Sequence, residues 1–405
     1  MRILHVVLYN KLYPPMNGGM LRCWNIAKQL SGYFDVDLLC LQPGIEKTIK
    51  EKYEAKSFPR MQYVSPEKNF TASSYKGFNK LKTAIKYRWH YKTLSGTNSM
   101  LVDVTPLLKK IKGNAYDIIL LEHIESLVLI KKLKKHFPQA KFILDTHNVD
   151  HVLLKNKVSE KRLAQIKLQE STLYKSCDIV LTCSEKDKDV FEQLNQNKIQ
   201  VVIVPNGVDT NTNMFRLPEF SSNECNIIFC GSLDYEPNYT GMIWFLKTVW
   251  PALVNKFPFI KMAIVGRGTP DNEMMKLIRE SKGINFIGET KDVIPYYRNA
   301  QLAIVPILIG SGTRLKILEA MSLGVPVIST TIGAEGIDYT NGKNIIIADT
   351  ADQFINKLET FVSNPAGNIS ISENASAMME KEYSWDVIGR KLKEKLEELK
   401  ACSNK

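Results

Sequence analysis

The sequence predicts an α/β protein of two domains, each a parallel sheet with helices packed on both faces. Three observations carry this expectation. Apolar runs of strand length alternate with stretches of helical period throughout the 405 residues. A polar, turn-forming stretch interrupts the alternation near the middle. The composition, 44% hydrophobic and 24% charged, is that of a folded chain with more than one domain, and it excludes disordered, fibrous and disulfide-scaffolded classes.

Candidate strands of the first half are residues 3–8, 36–41, 117–121, 142–144, 179–182 and 201–204; those of the second are 226–230, 262–265, 285–287, 302–305, 325–329 and 344–347. Asn206-Gly207-Val208-Asp209 forms a turn and 210–223 is polar with one proline, after which the strand–helix alternation restarts. The domains are therefore expected at 1–207 and 208–383. A Lys/Glu helix over 384–405, with apolar Val387, Leu392, Leu396 and Leu399, is expected to cross back to the first domain.

Charge separates the halves. Residues 1–200 hold 33 Lys and Arg against 19 Asp and Glu, net +14, whereas 201–405 is net −2. A basic half of this kind suits an anionic partner such as a membrane surface, a lipid phosphate or nucleic acid, with a surplus of solvated lysines as the alternative. The least regular stretch, 46–112, interleaves Lys80, Lys82, Lys86, Arg88 and Lys92 with Tyr75, Phe78, Tyr87, Trp89 and Tyr91. That pattern suits a helix on an anionic membrane surface, or one packing its rings inward.

No run approaches the ~18 apolar residues of a membrane span, and the start of the chain is too short and too soon polar for a signal peptide. The expected location is cytoplasmic, peripheral on the inner face of the membrane. The seven cysteines form no C-x-x-C pair and sit mostly in apolar runs, so buried free thiols are expected and no metal site.

The most informative stretch runs from Pro306 to Thr330. A strand enters the loop Gly310-Ser311-Gly312, a helix starts near Thr313 with Leu315 turned to the core, Gly324 ends it, and Pro326 opens the next strand. Glycines let backbone N–H groups approach a ligand, and the helix directs its positive end at the same point, where a diphosphate fits. Arg314 and Lys316 oppose the helix dipole in the first turn, a cost of a few tenths of a kcal/mol that a bound anion would reverse. Glu319 can accept hydrogen bonds from a ribose diol; a Lys316–Glu319 surface pair worth ~0.2–0.5 kcal/mol is the alternative.

This stretch resembles the retaining GT-B glycosyltransferases of family 4, whose E-x7-E pattern ends in EAMA-G-PVV, as Glu319-Ala320-Met321-Ser322, Gly324 and Pro326-Val327-Ile328 nearly do. Further pieces lie in the same order. Asn17-Gly18-Gly19 is similar to the family's glycine pair, Asp145-Thr146-His147-Asn148 to its T-x-H step, and Pro205-Asn206-Gly207-Val208-Asp209 to its PNGVD. Gly231-Ser232-Leu233-Asp234 resembles its GRLD, Val265-Gly266-Arg267-Gly268 its GxG turn, and Trp385-Asp386 its closing SW.

The resemblance implies two Rossmann-like domains facing each other across a cleft. It also implies transfer of a sugar from a nucleoside diphosphate sugar to a hydroxyl acceptor, lipid-linked or polysaccharide, with retained configuration. The donor belongs to the second domain, with Gly288 near the base, Glu319 on the ribose, and Ser232, Ser311, Gly312, Thr313 and Leu315 around it. Gly18 and Gly19 would touch the donor phosphate or the acceptor hydroxyl. His147 would bond a sugar hydroxyl or phosphate. Helical spacing leaves Arg22 free to face the cleft, and Glu122 and His123, at the end of the strand before, are the further candidates for lining the acceptor side.

The sequence departs from the family at three positions. The first Glu of E-x7-E is Ser311, which defines a subgroup with Gly310-Ser311-Gly312-Thr313-Arg314-Leu315-Lys316. The Arg of GRLD is Ser232, and the Lys expected after it falls at Pro237 or Asn238, so both pyrophosphate cations are missing there. Arg314 and Lys316 are the expected substitutes, and His147, Arg314 and Lys316 are the expected catalytic residues, with no metal or other cofactor needed.

An inactive partner subunit and a nucleotide-sugar epimerase are the rival readings. A dehydrogenase is disfavoured because Gly266-Arg267-Gly268 lacks a third glycine, and nucleic acid is not an expected partner.

Overall fold

The computed structural model of the chain describes residues 1–9, 12–50, 58, 60–66, 105–155, 157–219, 225–310 and 312–402. The lysine-rich segment 80–92 and Ser311 lie outside the described residues. The chain divides into two units, Met1–Val204 with Gly389–Lys405, and Pro205–Ile388.

The first unit holds strands β1 (Arg2–Val7), β2 (Asp35–Cys40), β3 (Met61–Val64), β4 (Ile118–Glu122), β5 (Lys141–Asp145), β6 (Ile179–Thr182) and β7 (Gln200–Ile203). All described pairings are parallel and the order is β3-β2-β1-β4-β5-β6-β7. Alternate strand residues feed opposite layers, as a pleated strand buried on both faces requires. Leu4, Val6 and Leu39 join Ile119, Leu121, Leu144 and Val180 in one core. Val7, Leu38 and Cys40 join Cys23, Trp24 and Ala27 of helix Gly18–Ser31 in the other.

The second unit repeats the plan with β8 (Cys225–Cys230), β9 (Ile260–Val265), β10 (Ile284–Gly288), β11 (Leu302–Val305), β12 (Val327–Ser329) and β13 (Ile346–Ile347), ordered β10-β9-β8-β11-β12-β13. Ile227, Phe229, Ile264 and Ile304 face one layer, and Ile228, Val265, Ala303 and Val305 face the other. Each sheet reverses its direction of growth once, between β1 and β4 and between β8 and β11. Ligands of open α/β sheets gather outside the carboxyl ends of the strands at such points.

The division falls after Val204, slightly before the expected 207, because the interdomain turn is tied to the second unit. Val208 N donates to Tyr383 O at 2.8 Å and Trp385 N to Val208 O at 3.2 Å. A Cβ added at Gly207 would lie 2.8 Å from Trp385 Cδ2, so the turn packs directly against the indole. The final helix, Trp385–Cys402, starts in the second unit and is assigned to the first from Gly389 onward. There Lys400 Nζ meets Asp117 Oδ1 at 2.9 Å.

Cys23, Cys40, Cys177, Cys183 and Cys225 are buried free thiols, and Cys230 is partly buried. No described helix is long and apolar enough to cross a membrane.

Candidate functional site

In the second unit three loops at the carboxyl ends of β8, β9 and β10 are joined backbone to backbone. Gly231 N donates to Val265 O at 2.8 Å, Leu233 N to Arg267 O at 2.9 Å, and Gly266 N to Gly288 O at 2.8 Å. Gly266 has φ +144°, and a Cβ there would lie 2.1 Å from Gly231 O; at Gly268, φ +104°, it would lie 2.7 Å from the Asp234 carboxylate. The GxG turn thus carries glycine because two backbones meet there in a conformation that L side chains rarely adopt. Gly288, φ +73°, closes the third loop.

Across the switch point, the loop after β11 turns through Gly310 and Gly312, both at positive φ, into helix Leu315–Ser322. The helix begins at Leu315 rather than near Thr313. Arg314 occupies the capping position in extended conformation, and the Thr313 hydroxyl bonds Gly336 O at 3.5 Å.

Arg314 stands at the end of the glycine loop rather than within the first turn of the helix. Its guanidinium folds back, Nη1 donating to Gly312 O at 3.0 Å, and the residue is only 8% exposed. Burial lowers its pKa against the opposing fields of Tyr235 and Glu335. It therefore braces the glycine loop from within.

Lys316 points across the switch point. Its Nζ donates to Asn238 Oδ1 at 2.8 Å, and Asn238 Nδ2 in turn donates to Ser232 O at 2.7 Å. The ammonium also lies 4.4 Å from the centre of the Phe229 ring, a cation–π contact. A Cβ added at Gly231 would lie 2.4 Å from Nζ, so the bare glycine leaves room for the ammonium. Burial pushes Lys316 down to about 8.

Ser232 and Asn238, where the resemblance expects cations, are thus linked to each other and reached by Lys316 from the facing helix. Because Lys316 turns to Asn238, the alternative Lys316–Glu319 surface pair is not the arrangement that forms. Burial pushes the Glu319 carboxyl up to about 7, with Lys316 opposing. Leu315 is half-buried on the same helix.

The first unit gathers a second cluster at the carboxyl ends of β1, β4 and β5. Asn17 Oδ1 caps helix Gly18–Ser31 by accepting from Met20 N at 2.9 Å, so Gly18 and Gly19 form its first turn. A Cβ at Gly19 would lie 2.7 Å from the Tyr9 hydroxyl and 3.3 Å from His147 Nδ1. The helix N-terminus therefore lies directly against His147, which follows β5.

Glu122 ends β4 and is 2% exposed; Oε1 bonds His5 Nε2 at 2.5 Å and Oε2 bonds His147 Nε2 at 2.7 Å. Burial alone would raise this carboxyl, but the hydrogen bonds from His147 and His5 outweigh it and hold Glu122 well below the usual carboxylate range.

Two residues expected on the acceptor side are buried within the cluster. Arg22 is 1% exposed and donates from Nε and Nη2 to the two Asp145 oxygens at 2.9 and 2.7 Å, a bidentate pair that uses its fork inside the unit. Glu122 is buried with an imidazole on each oxygen, so it lies behind the cluster rather than at its surface.

His123, partly buried beside His147, has φ +61° and ψ 155°, a region essentially restricted to glycine. Its ring lies 3.7 Å from that of His147, and its Nε2 is hydrogen-bonded to Tyr9 Oη at 2.6 Å. Burial, and then His147, hold His123 well below the usual histidine range.

Cys23, His123 and His147, and likewise Glu122, Asp145 and His147, bring their ligand atoms within 4.8 Å of one another. The donor chemistry does not suit a cation. Glu122 is bonded to two histidines and Asp145 to Arg22, and burial together with Glu122 raises the Cys23 thiol well above its ordinary value.

Sequence reasoning missed His5, Tyr9, Asp145 and Asn238 as members of these clusters. His5 carried a usable signal, a titratable residue flanked by apolar ones within β1, and so did Asp145, which closes the apolar run of β5.

Residues 17–212 match the family described as Glycosyltransferase Family 4, and residues 224–364 match Glycosyl transferases group 1. An uncharacterized 44.6 kDa protein in the cps region of Klebsiella pneumoniae is 31% identical over 175 residues, 42% of this chain and 45% of that protein. The phosphatidyl-myo-inositol mannosyltransferase of Mycobacterium tuberculosis is 25% identical over 209 residues, 47% of this chain and 52% of that one. The chain spans about half the length of the curated relatives it matches.

Among solved structures, sucrose-phosphate synthase from Thermosynechococcus elongatus superposes with TM-score 0.71 at 15% identity, covering 99% of both chains. HepE from Anabaena in complex with UDP-glucose superposes with TM-score 0.67 at 16% identity, covering 98% of this chain and 100% of that one. The fold is GT-B, two Rossmann-like domains.

Proposed function

We propose that this chain, which carries a glycosyltransferase family 4 domain and a group 1 domain on a GT-B fold, transfers a sugar from a nucleoside diphosphate sugar to a hydroxyl acceptor with retention of configuration. The observation that carries the reading is the Lys316 ammonium, held 2.8 Å from Asn238 Oδ1 beside the glycine loops of the second unit. A cation at a sheet switch point, with glycine loops leaving backbone open around it, suits a diphosphate.

In this reading Lys316 meets the leaving diphosphate, and Arg314 fixes the Gly310–Gly312 backbone that surrounds it. Glu319 takes the ribose diol, and Gly288 lies toward the base. Charge developing on the leaving diphosphate is stabilised by an ammonium already in place, so the step requires no divalent metal. His147, beside Gly18 and Gly19 in the first unit, hydrogen-bonds a substrate hydroxyl.

The acceptor is lipid-linked or a polysaccharide. The cps-region relative, the mannosyltransferase that acts on a phosphatidyl-inositol, and the +14 charge of residues 1–200 support that choice. The charge and the absence of a membrane-crossing helix among the described residues also fit peripheral attachment at the inner face of a cytoplasmic membrane.

An inactive partner subunit rests on Ser232 and Ser311, which replace charged residues of the family. Release of UDP from UDP-glucose, or of GDP from GDP-mannose, by purified protein separates the readings. Turnover supports the enzyme, and binding without turnover, with or without a glycan acceptor, supports the inactive subunit.

A further inference from the structure

We infer that Glu122 is a positioning residue, which fixes the His147 imidazole in the tautomer protonated at Nε2 with a bare Nδ1 turned toward Gly19. The inference rests on the proposed role of His147 and adds a residue behind it that touches no substrate.

The Glu122 oxygens are divided between two imidazoles, Oε1 to His5 Nε2 at 2.5 Å and Oε2 to His147 Nε2 at 2.7 Å, and the residue is 2% exposed. An ionised carboxylate only accepts, so both Nε2 atoms must carry hydrogen. The far side of each ring agrees. His5 Nδ1 and His147 Nδ1 are both buried without a hydrogen-bond partner among the described residues. A buried orphan N–H is rarer and costlier than an unused lone pair, so the bare atom belongs at Nδ1 in both rings.

The ring is also held in place. His123 packs against it at a 45° tilt with centroids 3.7 Å apart, and Cys23 Sγ stands 3.8 Å from Nε2. The unused lone pair is buried facing the backbone of Gly19, where an added Cβ would come within 3.3 Å. A ligand hydroxyl admitted beside Gly19 would donate to it, whereas a phosphate oxygen at the same place would meet lone pair with lone pair.

A carboxamide at 122 accepts at one end and donates at the other. In Glu122→Gln, then, one of the two histidines must move its proton from Nε2 to Nδ1. Long-range proton–nitrogen NMR on histidine-labelled full-length protein reads the tautomers directly, in the parent as well as in the variant. The expected result is Nε2–H at both His5 and His147 in the parent, a switch at one of them in Glu122→Gln, and a kcat for UDP-glucose hydrolysis lowered roughly tenfold or more with KM little changed.

His147 carrying its proton on Nδ1 in the parent overturns the inference even if Glu122→Gln fails to fold. Unaltered tautomers and unaltered kcat in a folded Glu122→Gln overturn it as well. If the tautomers behave as expected but neither Glu122→Gln nor His147→Ala alters turnover, the proposed role of His147 fails while the placement of its ring by Glu122 stands.

Discussion

Lys316 Nζ and Asn238 Oδ1 are hydrogen-bonded at 2.8 Å across the β8–β11 switch point. The positions where the family resemblance expects cations, Ser232 and Pro237 or Asn238, carry none, and the ammonium arrives from the facing helix. Burial disfavours that charge, and Asn238 with the Phe229 ring only partly compensates it. A bound anion would complete the compensation, so the arrangement is more readily explained by a ligand than by stability.

Gly266→Ala should destabilise the second unit. Its φ of +144° and the 2.1 Å approach of the added Cβ to Gly231 O combine strain with a backbone clash. Strain alone costs roughly 1–3 kcal/mol, and the clash adds to it. Gly342→Ala is the control, with φ +78° but open space around the Cβ. Urea unfolding should show a clearly larger loss at 266 than at 342, and equal losses would contradict the close packing of the two loops.

Glu319→Gln should make stability less sensitive to pH. The folded carboxyl, pushed up to about 7 by burial, binds a proton more tightly than the unfolded one at its ordinary 4.5. Stability therefore falls as pH rises through that window, and the loss is complete above about 7. The variant should gain on the parent at pH 8 and not at pH 4, as read by chemical unfolding at both. If Glu319 holds the ribose, the same variant also loses UDP affinity; unchanged affinity would remove that assignment.

Binding of UDP should weaken above pH 8. Lys316 sits at about 8 in the free protein, so at higher pH it must take up a proton before it can meet the diphosphate. Affinity should fall by up to about tenfold per pH unit until the site's other groups dominate. Calorimetry in two buffers of different ionisation enthalpy should show proton uptake near pH 8.5; its absence would mean that the diphosphate does not meet Lys316.

The basic first half should sediment with anionic vesicles at low salt and be released at high salt. Each Lys or Arg near such a surface contributes about 1 kcal/mol within a Debye length of ~8 Å. The sequence basis is Lys80–Lys92 with its interleaved rings, together with the net +14 of residues 1–200. No binding to anionic vesicles even at low salt would point to a soluble acceptor.

The strand–helix alternation in the sequence located most of both sheets, because strands buried on two faces read as unbroken apolar runs. β3 was missed: Met61–Val64 is short, at a sheet edge and only half buried, with Gln62 exposed. The glycine loops and Lys316 were visible because backbone freedom and helix position leave local marks. The direction of a long side chain leaves none. Arg22 looked like a cleft residue by helical spacing, yet its partner Asp145 lies 123 residues away, and His5 and Glu122 are separated by 117.

The most direct measurement is a calorimetric titration of UDP into the parent and into Lys316→Met, which keeps the apolar stem and removes the ammonium. Losing a charge-assisted hydrogen bond of about 1.5–3 kcal/mol should weaken binding roughly ten- to a hundredfold. The ligand-free variant should melt no lower than the parent, because a buried charge has been removed. Equal UDP affinity in the two proteins would contradict the assignment of Lys316 to the diphosphate.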